Sequence, residues 1–557
     1  MPDTDEVRIV GKALEGKNLR SLLGCESPTR VHIEHCTGVC DLQLFANLPS
    51  LQEIHVEGDV DVQNFASLSQ LPLLRKLLLS AVSLKDGDLR DLGLIQTLED
   101  LSLCNCAQIK GWESIGHLPR LRSLDLSFTG IGDEELRDLA VSRSLVKVDL
   151  VDCKQLTDVS PLANIETLEE VSLGYCACVT GLGALVGLPK LRHLYLWCSA
   201  ITDECVRELG ASQSLVKLDL GGCKQLSDVS PLARIQTLEE INLRVSEEVS
   251  VVADLGKLPV LRSIYLAHTA VTDEGLRGLG ASRSLVEIAL DNCMLLTDVS
   301  PLASIETLEE VSLADCDGVT AVGALGRLPA LRSLDLCRSG ITNEGLVGLS
   351  ASRSLVKLEL KRCRYLTDVT SLASIETLQE VNLRGCEYVN AFGVLGRMAM
   401  LRVLNLSYTA LTDDDLRGIS ASRTLVRIDF GENKLIRDVT PLASVSTLEE
   451  VNLADSVGVT GVGALGALPA LRVLDLSRLS VSDDDLRRLS ASGSLVNLDL
   501  DHCELLTDVT PLASIETLRE VSLCGCKNVR GLSAIGGLLR RHSSDLVSSD
   551  TVDEESM

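Results

Sequence analysis

A segment of 70 residues, repeated in tandem six times, constrains this chain more than any other feature. The copies begin at Leu121, Leu191, Leu261, Leu331, Leu401 and Leu471, and each contains three phrases of 23 or 24 residues. Every phrase opens with the pattern L-x-x-L-x-L, whose alternating apolar residues predict a short strand with one buried face. A single phrase cannot bury that face alone, so the phrases are expected to stack into a solenoid with one continuous core. The sequence therefore predicts a function that lies on a long surface.

Repeats of this kind cover most of the chain. We find 22 of them, opening at residues 28, 51, 74, 98 and 121 and ending with the repeat at Leu518. They predict an α/β solenoid over residues 28–540, with 121–540 as its regular part, a parallel concave sheet, and short helices and turns on the convex side. Residues 1–27 are expected to form an N-terminal cap, because Val7 to Leu23 has helix-like apolar spacing. The Ser- and acid-rich residues 541–557 are expected to be a disordered tail.

The three phrases differ after the strand. ITDEGLRGL and its relatives predict a short helix with an acidic first turn. LTDVSPLASIET carries a proline that favours the start of a helical turn. VTGVGALGALPA is rich in glycine and predicts a tighter turn.

Nineteen cysteines would suggest a disulfide framework if they were not placed so regularly. Eleven occupy position nine of a repeat, the N/C position of L-x-x-L-x-L-x-x-N/C: Cys36, Cys106, Cys153, Cys176, Cys223, Cys293, Cys316, Cys363, Cys386, Cys503 and Cys526. A free cysteine there is a small buried group with a weak hydrogen-bond donor. The odd total and this placement predict reduced thiols and a cytoplasmic location, with the nucleus as the alternative.

The formal net charge of −27 argues against nucleic acid as a partner, because phosphate binding needs clustered Lys and Arg. It also argues against adsorption to anionic membranes. The acidic start MPDTDEVRIV has no apolar run typical of a secretory signal, and no apolar stretch is long enough to predict membrane insertion. We expect a monomer that binds a protein.

With these phrases in view, the chain resembles the leucine-rich repeat superfamily over nearly its whole length. ITDEGLRGL is similar to the cysteine-containing and ribonuclease-inhibitor-like subclasses. CxxLTDVSPLASIETLEEVSL resembles trypanosomatid leucine-rich repeat proteins, some of them provisionally described as adenylate cyclase regulators. Members of that group carry a zinc-binding RING, but this chain lacks its paired C-x-x-C spacing, so the resemblance implies no ubiquitin-ligase activity.

Signals for catalysis or bound cofactors are weak. The sequence has no P-loop, no G-x-S-x-G and no H-E-x-x-H, so we expect no enzyme activity and no cofactor. His32 and His55 share position five of adjacent repeats, with His35, Cys36 and Cys40 nearby, but no zinc-ligand spacing is met and no metal is expected.

Charged residues recur on the predicted concave face, which is expected to present positions two, three, five and seven. Position three places Lys147 beside Glu170, Lys217 beside Glu240, Lys357 beside Glu380 and Arg427 beside Glu450. Position two similarly places Arg192 beside Glu169. These pairs are compatible with a charged docking stripe, or with cross-strand pairs that neutralise a repetitive sheet.

Departures from the repeat define the candidate partner site. It consists of His193, Tyr195, Trp197, Arg244, Tyr265, Glu287 and Glu310. Tyr and Trp replace residues that are small or polar in sister repeats, and exposed Tyr, Trp and Arg are frequent anchors of protein interfaces. Tyr195 and Tyr265 are three strands apart, or roughly 14 Å. Glu287 replaces the usual Lys and is expected to face Glu310. Neutral drift among duplicated repeats is the alternative explanation.

The sequence thus predicts a non-enzymatic scaffold that binds a protein on its concave face. The alternative is a regulatory subunit or inhibitor of an enzyme such as an adenylate cyclase or a GTPase.

Overall fold

The computed structural model describes residues 5–14, 27–85, 87–106, 111–177 and 179–537. The chain divides into an N-terminal unit, Met1–Leu296, and a C-terminal unit, Thr297–Met557. Both are built from the predicted repeat, in which a short strand is followed by a helix or turn. The expected tail at 541–557 lies outside the described residues.

The repeat at Leu121 shows why each phrase forms a strand. Leu121, Leu124 and Leu126 are fully buried, while Ser123 and Asp125 on the opposite face are half-exposed. This alternation matches the two-residue period of a strand that is buried on one side. Burial of each leucine side chain stabilises the folded state by about 1.5–3 kcal/mol, and the same three positions fill the core of successive repeats.

In the N-terminal unit the strands of the main sheet are parallel. They are Glu6–Val10, Arg30–Glu34, Glu53–Glu57, Lys76–Ser80, Asp100–Ser102, Ser123–Asp125, Lys147–Asp149, Glu170–Ser172, His193–Tyr195, Lys217–Asp219, Glu240–Asn242, Ser263–Tyr265 and Glu287–Ala289. A second parallel sheet contains Ala13–Leu14, Thr37–Asp41 and Val60–Gln63.

The first of these strands corrects one expectation. Glu6–Val10 is not part of a cap helix but pairs in parallel with Arg30–Glu34, and Ala13–Leu14 is also extended. Val7 and Ile9 face the core as the inward residues of a two-residue period, which their spacing also allows. Residues 15–23 of the expected helix lie outside the described part of the chain, so the cap itself stays a prediction.

In the C-terminal unit the strands are again parallel and follow the order of the chain. They are Glu310–Ser312, Ser333–Asp335, Lys357–Glu359, Glu380–Asn382, Val403–Asn405, Arg427–Asp429, Glu450–Asn452, Val473–Asp475, Asn497–Asp499 and Glu520–Ser522. Each of the 22 predicted repeats has its strand within the described residues, which confirms the leucine-rich repeat solenoid.

The segments after the strands form short helices of two kinds. The α-helices are Asp88–Leu92, Glu113–Gly116, Asp133–Leu139, Leu182–Leu185, Asp203–Leu209, Asp273–Leu279, Asn343–Val347, Asp413–Ile419 and Asp483–Leu489. The 3-10 helices are Leu42–Phe45, Phe65–Gln70, Ser160–Asn164, Ser230–Arg234, Ala253–Lys257, Ser300–Ser304, Gly323–Arg327, Gly348–Ala351, Thr370–Ser374, Phe392–Arg397, Thr440–Ser444, Val462–Ala467, Thr510–Ser514 and Leu532–Ala534. The first phrase therefore forms its predicted helix, and the proline-containing phrase forms a single 3-10 turn. No helix in the described ranges is both long and apolar enough to cross a membrane.

Most side chains at position nine are buried, as predicted, and recur from repeat to repeat; we call this row of inward side chains the ladder. The thiols of Cys153, Cys223 and Cys363 donate to backbone carbonyls of the preceding repeat at 3.3, 3.4 and 3.1 Å. Asn433 takes the same role, and its Nδ2 donates to the Leu406 carbonyl at 2.8 Å. The ladder therefore satisfies carbonyls that would otherwise be buried without a partner as the chain leaves the strand.

Position eight, directly before the ladder residue, turns through the left-handed region. Examples are Phe128 (φ 60°), Tyr175 (φ 56°), Cys198 (φ 55°) and Tyr408 (φ 56°). The preceding turn is fixed by position five, where Asp125 accepts the backbone N–H of Ser127 at 2.9 Å. Because of this turn, side chains at position eight are displayed at the edge of the sheet.

Candidate functional site

Most of the predicted partner-site residues lie on five neighbouring strands of the N-terminal unit. Tyr195 is aligned with Asp219, Asp219 with Asn242, and Asn242 with Tyr265. The two tyrosines are thus three strands apart at the same position, as the sequence predicts. We call the surface formed by Tyr175, His193, Tyr195, Trp197, Cys198, Arg244, Tyr265 and Glu287 the aromatic patch.

Trp197 is seated against the neighbouring repeat at one end of the patch. Gly174 lies beneath its indole, and a Cβ atom on that glycine would come within 2.5 Å of Trp197 Cε2. The ring of Tyr175 meets the indole edge-on, with 4.8 Å between centroids. Aromatic pairs in this geometry are stabilising by about 0.5–1.5 kcal/mol. The glycine therefore makes the space that the indole fills.

Tyr175 and Cys198 belong to this end of the patch, but the sequence alone did not reveal either of them. Tyr175 is half-exposed, Cys198 is exposed, and a hydrogen bond with the Cys198 thiol raises the pKa of the Tyr175 hydroxyl. Both occupy position eight, and the alternation of side chains along a strand predicted only positions two, three, five and seven for the concave face. The recurrence of Asn, Asp, His and Gly at that position was the available signal for a left-handed turn.

His193 and Tyr195 occupy the middle of the patch. His193 Nδ1 lies 3.6 Å from Glu170 Oε2, and the same carboxylate pairs with Lys147 Nζ at 2.7 Å. The His193 and Tyr195 rings have centroids 6.5 Å apart. Burial, followed by the Glu170 charge, raises the pKa of Tyr195, so its hydroxyl stays protonated and able to donate a hydrogen bond at neutral pH.

Arg244 and Tyr265 form the other end. The Arg244 guanidinium carbon lies 4.3 Å from the centre of the Tyr265 ring, and the Tyr265 hydroxyl donates to Glu287 Oε2 at 2.9 Å. Ser263 Oγ also donates to Glu287 Oε2, at 3.3 Å. Burial and the hydrogen bond to Glu287 raise the pKa of Tyr265. The cation, ring and carboxylate therefore form one ordered group on adjacent strands.

Glu310 is the remaining residue of the predicted partner site. It lies in the C-terminal unit, where it is exposed and aligned with Ser333. The partners found for Glu287 are the Tyr265 and Ser263 hydroxyls of its own unit. The departure from the usual Lys at 287 is thus accounted for by hydrogen bonding to Tyr265.

The predicted charge pairs are only partly formed. Ion pairs form as predicted in three cases, with N–O distances of 2.7 Å for Lys147–Glu170, 2.7 Å for Lys217–Glu240 and 2.5 Å for Arg427–Glu450. Lys357 is aligned with Glu380 on the adjacent strand, as predicted, but its ammonium group forms its ion pair with Glu359 of its own strand, at 3.3 Å. The pairs are solvent-exposed, and each is worth at most about 1 kcal/mol.

Strand register also brings His32 and His55 together with Glu34. One possible ligand atom from each lies within 4.8 Å of the others, and the two imidazole rings meet edge-on at 5.4 Å. Two imidazoles and a carboxylate are donors that zinc accepts. Glu34, however, already accepts hydrogen bonds from Arg8 at 2.7 and 2.9 Å. A cation here would have to displace the guanidinium, and the cluster is not a complete ligand set.

The ladder thiols are chemically protected. Burial raises the pKa of Cys153, Cys223, Cys363 and Cys503 to about 12 each. Since the thiolate is the reactive form, these groups are poor nucleophiles near neutral pH. Their arrangement serves the fold.

Comparison with known proteins gives the same architecture. The family described as Leucine Rich repeat matches residues 117–140 and 397–420. A protein of Trypanosoma equiperdum, provisionally named an adenylate cyclase regulatory protein, is 29% identical over 199 residues. That match covers 34% of this chain and 31% of the trypanosome protein.

Other matches are more distant. The TMV resistance protein N of Nicotiana glutinosa is 24% identical over 287 residues, covering 50% of this chain and 25% of that protein. The chain therefore aligns with a third or less of the length of these two relatives. Among solved structures, the TLR13–ssRNA13 complex matches with a TM-score of 0.66 at 16% identity, covering 93% of this chain and 80% of that one. At this identity the likeness concerns the fold alone. The repeated strand, the ladder at position nine and these matches agree in showing the fold of a leucine-rich repeat solenoid.

Proposed function

We propose that this protein is a non-enzymatic scaffold that binds a partner protein on the concave face of the solenoid, through the aromatic patch. The observation that carries the proposal is the run of Tyr175, Trp197, Tyr195, Arg244 and Tyr265 over neighbouring strands, where sister repeats have small or polar residues. Ordered Trp, Tyr and Arg side chains lose little entropy on binding, and such residues supply most of the energy of protein interfaces.

The order within the patch supports this function. Trp197 is held by Gly174 and Tyr175, and Tyr265 is held by Arg244 and Glu287. A surface whose side chains are fixed before binding avoids part of the ordering cost. Neutral drift would replace side chains singly, without a matching glycine beneath the new indole.

The test is a double variant that uses residues of sister repeats. Trp197→Cys copies Cys337, and Tyr265→Asp copies Asp335, so the fold is expected to be kept. With a partner captured from native lysate, the variant should bind at least tenfold more weakly, or about 1.4 kcal/mol. Phe128→His, which copies His268 at another exposed position, is the control and should bind normally. Unchanged affinity in the double variant would place the interface elsewhere.

A second function is favoured by the trypanosome relative, whose provisional name assigns it regulation of adenylate cyclase. In this case the partner is an enzyme such as a cyclase or a GTPase, and the scaffold alters its activity by covering or positioning it. The two functions separate in an activity assay of the captured partner. A change in its turnover on adding the wild-type protein, lost in the double variant, would support the regulatory function.

A further inference from the structure

A second departure from the repeat lies in the C-terminal unit and is basic. Arg362, Arg364, Arg384 and two tyrosines border a depression of about 390 Å³. Its full lining is Arg362, Arg364, Arg384, Gly385, Glu387, Tyr388 and Tyr408, which we call the arginine–tyrosine depression. In a chain with a net charge of −27, three arginines around one depression are a local exception.

Adjacent repeats bring these cations together. The backbone N–H of Arg362 donates to the Arg384 carbonyl at 2.7 Å, so the two residues follow each other across one strand step. Gly385, at φ 71°, follows Arg384 in the lining of the depression and contributes no side chain to it. A Cβ there would lie 2.9 Å from Arg362 Cγ, and its absence leaves the space open.

The cations are unequally neutralised. Arg364 Nη2 is bonded to Asp317 at 2.9 Å. Arg362 forms no ion pair with any of the described residues, and the contact of Arg384 is with an aromatic ring, its guanidinium carbon lying 4.7 Å from the centre of Tyr408. Arg362 and Arg384, on neighbouring repeats, thus form no ion pair within the described part of the chain, although the charge of Arg384 acts on the Asp429 carboxylate.

Tyr388 and Tyr408 line the depression together with the arginines. Tyr388 is 64% exposed and Tyr408 is 41% exposed. The Tyr408 hydroxyl donates to Glu432 at 2.6 Å, which fixes the ring under Arg384. Exposed tyrosine rings beside arginines offer flat contact area next to anion-binding forks.

We propose that the arginine–tyrosine depression binds a short peptide segment of a partner protein that carries phosphoserine next to Asp or Glu. Arginine binds phosphate through two parallel N–H···O bonds, and the phosphate dianion offers three acceptor oxygens, more than one carboxylate can present to two guanidinium groups. The tyrosine rings contact the backbone and neighbouring side chains of the peptide.

A nucleic acid fits these observations less well. Arg362 and Arg384 lie on neighbouring repeats, and the chain as a whole is strongly acidic, so it would repel a long polyanion. Other sister repeats do not combine these cations: Asn292 and Glu432 stand at the position of Arg362, and Ala314 and Ala454 at that of Arg384, while Arg244, also at the position of Arg384, has Gly222 beside it. A short anionic segment meets only the local basic charge.

The experiment uses the full chain and a fluorescein-labelled dodecapeptide with one phosphoserine flanked by Asp and Glu. Fluorescence anisotropy should show binding that weakens with salt. Arg362→Asn together with Arg384→Ala, both residues of sister repeats, should lower the affinity at least tenfold. The same peptide without phosphate should also bind at least tenfold more weakly.

The matched control is Arg478→His, which removes an exposed arginine from position eight of another repeat in the C-terminal unit and copies the sister residue His268. It should leave peptide affinity unchanged, and circular dichroism should show that all variants stay folded. Equal affinity of the double variant, or of the unphosphorylated peptide, would overturn the proposal. So would displacement of the peptide by a single-stranded RNA oligonucleotide at lower concentration than by unlabelled phosphopeptide.

Discussion

The aromatic patch of the N-terminal unit and the arginine–tyrosine depression of the C-terminal unit are built on the same repeat positions but differ in how they are filled. All six tyrosines of the chain fall in or beside them: Tyr175, Tyr195 and Tyr265 in the first, and Tyr365, Tyr388 and Tyr408 in the second. Arg244 and Arg384 occupy equivalent positions, and each stacks on a tyrosine of the next strand.

The difference lies in the neighbouring residues. In the aromatic patch Gly174 allows the Trp197 indole to pack against the neighbouring repeat, and Glu287 accepts a hydrogen bond from the Tyr265 hydroxyl. The side chains of this surface are therefore packed against one another. In the depression Gly385 leaves a gap, and Arg362 has no carboxylate partner in the described parts of the chain. One repeat can therefore display a packed surface or an open charged one, depending on single substitutions in adjacent copies.

The largest effect we predict is a loss of stability at high pH that originates in the buried core. It should be the same in the two units, because both contain the same ladder of cysteines. Burial raises the pKa of Cys223 and Cys363 to about 12, against 9.0 for an unperturbed thiol. The unfolded thiol ionises first, so the native state holds more protons and its stability falls as the pH rises from about 9 towards 12. At pH 10 the loss of stability is about 1 kcal/mol for each of these two thiols, and Cys153 and Cys503, whose pKa is also raised to about 12, bring the total to several kcal/mol.

Urea unfolding at pH 8 and pH 10 measures this loss. The matched variants are Cys223→Asn and Cys363→Asn, one in each unit, which copy Asn433, a residue that occupies the ladder without titrating. Each should reduce the difference between the two pH values by a similar amount. A clear effect in one unit and none in the other would show that the two cores are not equivalent.

An intermediate effect should separate the two surfaces. Gly174→Ala places a methyl group against the Trp197 indole and is expected to destabilise the protein by about 1–3 kcal/mol. Ala314 occupies the same position harmlessly because Cys337 replaces the tryptophan. The substitution should therefore cost little in a Trp197→Cys background, and thermal unfolding of the single and double variants checks this.

The corresponding change in the depression is Gly385→Asn, since Asn292 tolerates the left-handed turn at position eight. The new side chain would contact Arg362 Cγ, which belongs to a flexible exposed side chain that can move away. The free energy of unfolding is therefore expected to fall by less than about 1 kcal/mol. If this change cost as much as Gly174→Ala, the depression would be as tightly packed as the aromatic patch.

The smallest predicted effect is shared by both surfaces. The stacking of Arg244 on Tyr265 and of Arg384 on Tyr408 should each contribute about 0.5–1 kcal/mol of coupling. Double-mutant cycles with Arg→Ala, combined with Tyr265→Ala or Tyr408→Cys, isolate the two terms, and the replacements occur at Ala289 and Cys198. Coupling near zero in either cycle would mean that the ring and the cation are neighbours without mutual attraction in solution.

Much of this architecture could be predicted from the repeat. The strands at Leu121 and its sister repeats, the helix Asp203–Leu209 and the inward cysteines all follow from periods of 2, 3.6 and 23 residues. The strand Glu6–Val10 was missed because Val7 and Ile9 lie in a short stretch whose apolar spacing also suits a helix. Local spacing there allowed two structures, and pairing with Arg30–Glu34 selected one.

The candidate site was predicted in part. Tyr195, Trp197 and Tyr265 stand out in sequence because near-identical copies provide a reference for each position. Tyr175 and the arginine–tyrosine depression did not. Tyr175, Arg362 and Tyr388 lie at or beyond the turn after the strand, where strand alternation no longer tells which way a side chain points. Arg384 lies at position seven, on the predicted concave face, but its neighbours in the depression come from the turn.

The sequence by itself determined the repeat, its register and its inward residues, because apolar burial at fixed spacing is a property that every copy shares. Tertiary structure alone decided which side chains meet across strands: Trp197 with Gly174, Tyr265 with Glu287, and Lys357 with Glu359 rather than Glu380. Such contacts depend on rotamers and on the left-handed turn at position eight. Several partners lie within reach of each of these side chains, and differences of about 1 kcal/mol choose among them.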